Sequence, residues 1–113
     1  MAEDAIATGR LVGCPPLPAM AERLREAGLP VVEGRHALRC GHLVLRSDPG
    51  LMEELQVAGD HADTGALVAQ AKRLSQALDA LGIGHAIDVH GPDESLAAAF
   101  PAGTGRGRIR AKR

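Results

Sequence analysis

The chain has 113 residues, 45% apolar and 24% charged, which is enough for one domain with a modest core and too little for two independent ones. No run approaches the roughly 18 apolar residues of a membrane span, and Met1-Ala2-Glu3-Asp4 is acidic where a secretory signal would be basic and then apolar, so the expected setting is cytoplasmic, away from membranes. The net charge of −1 hides an asymmetry: five of the 13 basic residues lie between Arg106 and Arg113, a stretch without acids, which leaves eight basic against fourteen acidic residues in the rest of the chain.

Residues 5–12 read as a first strand, weakened by Gly9, and Cys14-Pro15-Pro16 ends it. Leu17, Met20, Leu24 and Ala27 repeat at helical spacing and predict a helix over 17–27, with Pro18 in its first turn and Gly28 beyond its end. From Val31 the period changes to two. Val32, Gly34, His36, Leu38 and Cys40 alternate with the other residues, and Leu43-Val44-Leu45 returns after Gly41, so 31–46 reads as a hairpin. Asp48-Pro49-Gly50 is a turn signal, and 51–57 fits either a helical turn or an edge strand.

The clearest element is a helix over 64–81. Leu67, Ala71, Leu74, Leu78 and Leu81 form one apolar stripe, Asp63 suits the N-cap and Gly82 the C-terminus. A strand over 85–90 follows, and Leu96 and Phe100 one turn apart suggest a short last helix over 92–100. Residues 1–101 are then a single domain, and the Gly- and Arg-rich segment 102–113 is expected to be flexible.

The resulting order resembles the β-α-β-β-α-β architecture of ferredoxin-like domains, so an α+β fold of that kind is expected over about residues 5–90, followed by the short helix and a disordered basic tail. The resemblance is one of architecture and implies no particular function.

Phe100 is the sole aromatic residue. A core of Leu, Val, Ile, Ala and Met buries less area per side chain than one with aromatic rings, which favours pairing of chains into a homo-oligomer or with a partner protein. Cys14 and Cys40 read as buried, inert thiols.

Two metal readings arise. His36, Cys40 and His42 have ligand chemistry, but residues four apart on a strand are separated by about 13 Å, so His36 and Cys40 cannot share an ion. The second joins segments around the strong helix. That helix is about 27 Å long and the strand after it runs back about 20 Å, so Asp60, His61 and Asp63 are expected near Asp88 and His90 as a divalent-metal or acid/base cluster. The plainer role of Asp60 and Asp63 is helix capping.

Ser47, Ser75 and Ser95 lack a Gly-x-Ser-x-Gly turn, and Ser75 is placed on the polar flank of its helix. Arg106, Arg108, Arg110, Lys112 and Arg113 suit weak, salt-sensitive contact with nucleic acid or another polyanion. With no catalytic motif, the sequence favours a non-catalytic interaction or regulatory module.

Overall fold

A computed structural model describes residues 4–48 and 51–101. The elements are β1 (Ala5–Val12), α1 (Leu17–Glu26), β2 (Val32–Glu33), β3 (Ala37–Cys40), β4 (Leu43–Asp48), β5 (Leu51–His61), α2 (Thr64–Leu81), β6 (Gly84–His90) and β7 (Leu96–Phe100). The strands form one antiparallel sheet in the order β2-β3-β4-β5-β1-β6-β7. None of the helices among the described residues is long and apolar enough to cross a membrane.

This corrects the expected ferredoxin-like β-α-β-β-α-β arrangement: the order is β-α-β-β-β-β-α-β-β, and the sheet has seven strands. Three local readings account for the difference. The segment from Leu51 is a full strand that runs on through Asp60 and His61. The region 31–46 holds three strands, because a bend at Arg35 and His36 separates Val32–Glu33 from Ala37–Cys40. That bend also resets the alternation, so Val32 is exposed while Leu38 and Cys40 are buried.

The third correction is the last segment, where β7 replaces the expected short helix. The Asp93 carboxylate accepts from the Ser95 hydroxyl at 2.7 Å and the Ser95 amide at 3.1 Å, and Gly91 N donates to Ser95 O, which turns the chain back along β6. The hydroxyl and then the amide hold the Asp93 carboxyl below its ordinary pKa. Ala98 and Phe100 pack on the core, so pairing and burial outweigh the helix preference of three consecutive alanines.

Other elements follow the sequence closely. In α2 Asp63 Oδ1 accepts from Ala66 N, Gly82 takes the left-handed conformation at φ 74°, and Ile83 N donates to Leu78 O, so both helix ends are satisfied. Arg25 at the end of α1 donates to Val31 O at 2.9 Å and pairs with Glu33 at 3.3 Å, which fastens β2 to the helix.

Leu67, Leu74 and Leu78 of α2 and Met20 and Leu24 of α1 meet Leu11, Leu38, Leu45, Ile87 and Val89 in one cluster of buried residues. The strand residues of that cluster all point the same way, so both helices cover one face of the sheet. The expected turn at Pro49 and Gly50 and the whole basic tail, with Arg106, Arg108, Arg110, Lys112 and Arg113, lie outside the described residues.

Candidate functional site

Alternation along the strands puts a second set of side chains on the face opposite the helices. In the widest row Val32, Arg39, Val44, Ala58, Thr8, Asp88 and Ala99 stand side by side, one from each strand in sheet order. The next row toward the start of β1 holds Asp60, Ile6 and His90. On the other side lie Arg46, Gln56, Arg10 and Ala86.

The exposed large hydrophobic side chains favour this face. Ile6 is 51% exposed, Val12 41% and Val32 65%, and all three lie on it; Leu96, the fourth, sits across from His90 at the β7 edge. Shallow hollows over the face are lined by small or apolar residues such as Ile6, Thr8, Val44 and Ala58, with Arg39, Arg46 and Asp60 around them. Arg10 lies 3.6 Å from Glu54.

The expected metal cluster does not assemble. The chain reversal exists, and Asp60 and His90 are level with each other, but each pairs with Ile6 from opposite sides. With β1 between them they are two strands, or about 10 Å, apart. They line one hollow together with Asp4 and Glu94. Asp88 is one open-face position further along β6, opposite Thr8.

His61 follows Asp60 directly in β5 and therefore points to the other face. Its ring lies 4.1 Å from that of His42, and its Nδ1 accepts from Asp63 N, while the Asp63 carboxylate caps α2. Among the described residues no three His, Cys, Asp or Glu side chains are placed to hold one ion. His42 is held similarly: its N–H donates to Gln70 Oε1, so the Gln70 amide nitrogen donates to His42 Nδ1 at 3.2 Å. These contacts hold the β3–β4 turn against α2.

One arrangement escaped the sequence reading. Ser75 is buried, not on a polar flank, and its Oγ lies 2.7 Å from His85 Nε2. His85 Nδ1 is 3.0 Å from Ile83 O, which can only accept; Nδ1 therefore carries the proton and Nε2 accepts from the serine hydroxyl. Nucleophile, base and orienting group are placed as covalent catalysis requires. Ser75, however, is only 4% exposed, where α2 packs on β6. The pair satisfies a buried hydroxyl and joins helix to strand. Its signal in the sequence was position: Ser75 follows Ala71 by four and precedes Leu78 by three, inside the apolar stripe.

On the helix side, a cavity of about 200 Å³ is lined by Leu29, Pro30, Cys40, Gly41, Gln70, Arg73 and Leu74. Burial pushes the Cys40 thiol up to about 11, and burial, then the charge of Glu54, does the same for Cys14. Both stay protonated at neutral pH and are poor nucleophiles. A folded-state value above the ordinary 9.0 means that the native protein keeps protons the unfolded chain gives up. The stability these thiols contribute is complete below about pH 9 and is lost as pH rises toward 11. The melting temperature is thus expected to fall over that range, and to fall less in a Cys14→Ala/Cys40→Ala variant; equal slopes in thermal melts would refute the assignment.

No known protein family, curated protein sequence or solved structure matches the chain.

Proposed function

We propose that this protein is a non-catalytic interaction module that works as a homodimer or as a subunit of a larger assembly, with the open sheet face as its contact surface. The observation that carries this reading is the one-sided sheet: seven strands are covered by helices on one face, and Ile6, Val12 and Val32 stand exposed on the other. Apolar side chains left exposed on an uncovered sheet face are available for burial against a partner.

A binding role is also supported by the burial of Ser75 in the Ser75–His85 pair and by the protonated state of both thiols. Two unpaired cysteines suit a reducing compartment such as the cytosol.

Hydroxyl-radical footprinting tests the reading. Ile6, Val12 and Val32 are expected to label less in a concentrated cell extract than in dilute purified protein, while exposed helix residues such as Gln76 label equally. Equal labelling of the three side chains in both conditions would defeat it.

A further inference from the structure

We infer that the open face takes a second copy of this chain, in a face-to-face dimer whose two-fold axis runs along β5 through Ala58. This deepens the interaction reading above by naming the partner.

The inference rests on the charge pattern of the widest row. Ala58 is the central residue of the seven, with three neighbours on each side. Two strands away on one side is Arg39 and two strands away on the other is Asp88. A two-fold axis in the interface plane and parallel to the strands exchanges left with right. It therefore lays Arg39 on the partner's Asp88 and Asp88 on the partner's Arg39. The same operation sets Val44 on Thr8 and Val32 on Ala99. An isologous interface must be self-complementary in this sense.

The two charges are available for it. Among the described residues the ion pairs within the chain are Arg10–Glu54 and Arg25–Glu33, and neither Arg39 nor Asp88 takes part. In the adjacent row Arg46 approaches the partner's Arg10, which is paired with Glu54 at 3.6 Å. Asp60 meets its own copy at the rim, where water and salt screen the repulsion.

Shape and size agree. Small residues at the axis and beside it, Ala58 and Thr8, let a second sheet approach to the roughly 10 Å of packed sheets, whose strands stay within about 30° of parallel. Seven strands spaced about 4.8 Å apart and about 20 Å long present roughly 600 Å². A pair then covers on the order of 1,200 Å², the lower end of specific interfaces.

The test is light scattering of the purified full chain across the micromolar range, with circular dichroism to establish folding. The wild type is expected to approach twice the 11.7 kDa chain mass. Arg39→Glu and Asp88→Arg should each weaken association by about tenfold or more, because each sets like charges against one another. The double variant should recover to within about threefold of wild type, which loss of folding could not produce. Ala58→Glu, which puts a charge beside its own copy at the axis, should be monomeric.

A wild type that stays monomeric would overturn the inference, and protection of Ile6 in extract would still uphold the interaction reading. A wild-type dimer indifferent to Arg39→Glu, Asp88→Arg and Ala58→Glu would show that copies meet elsewhere and would equally overturn it.

Discussion

Leu78→Ala is expected to lower the unfolding free energy by about 3–5 kcal/mol, the range for a fully buried leucine whose neighbours relax only in part. Leu78 is completely buried on α2, the helix that packs mainly against β6 and supplies the largest share of the core stripe. A domain of this size has roughly 5–15 kcal/mol to lose in total. The melting temperature should fall by more than about 10 °C. Leu81→Ala, three residues on in the same helix and only half-buried, serves as the comparison and should cost clearly less. Equal losses at the two positions in thermal or urea melts would mean that Leu78 is no more deeply seated in the core than Leu81.

Gly9→Ala is the second large effect and probes the sheet instead of the helix. Gly9 is on β1, the strand between β5 and β6. A methyl group there would overlap the Ala86 carbonyl oxygen and lie 2.9 Å from Ile87 Cα. These are backbone atoms and cannot rotate away, so β1 and β6 would have to separate. Overpacking of this kind costs about 1–3 kcal/mol, and the upper part of that range is expected. Gly65→Ala gives the contrast: in the first turn of α2 the nearest atom to a new methyl is Asp63 Oδ1 at 3.4 Å, and alanine is the better helix former. Stability should be unchanged or slightly raised. A Gly9→Ala protein that melts with the wild type would contradict the observed β1–β6 approach.

The same close approach connects fold to function. Gly9 lets β1 lie flush against β6, which keeps Thr8 and Asp88 level in the widest row. The proposed dimer depends on that register, since a slip of one residue along β6 would turn Asp88 to the helix side. A Gly9→Ala variant that folds is therefore expected to associate more weakly as well.

The sequence by itself determined most of the local structure. The apolar stripe and the Asp63 and Gly82 caps fixed α2, the Leu17–Leu24 spacing fixed α1, and the strands at 5–12 and 85–90 were read nearly to their ends. It also signalled a core thin in aromatic side chains and a need for cover. These features are local, since periodicity and capping depend on residues three or four apart.

Tertiary structure alone decided the rest. Ala97 to Ala99 became a strand because β6 offered an edge to pair with and the core accepted Ala98 and Phe100. The Asp60–His90 meeting failed because β1, from the other end of the chain, lies between their strands, and no local spacing reports which strand inserts where. Ser75 found His85 only once α2 lay across β6. Arg39 and Asp88, 49 positions apart in sequence, became symmetric about Ala58 through the order of the strands. Strand order is set by burial of the whole sheet against both helices, a sum over distant residues that no short window of sequence contains.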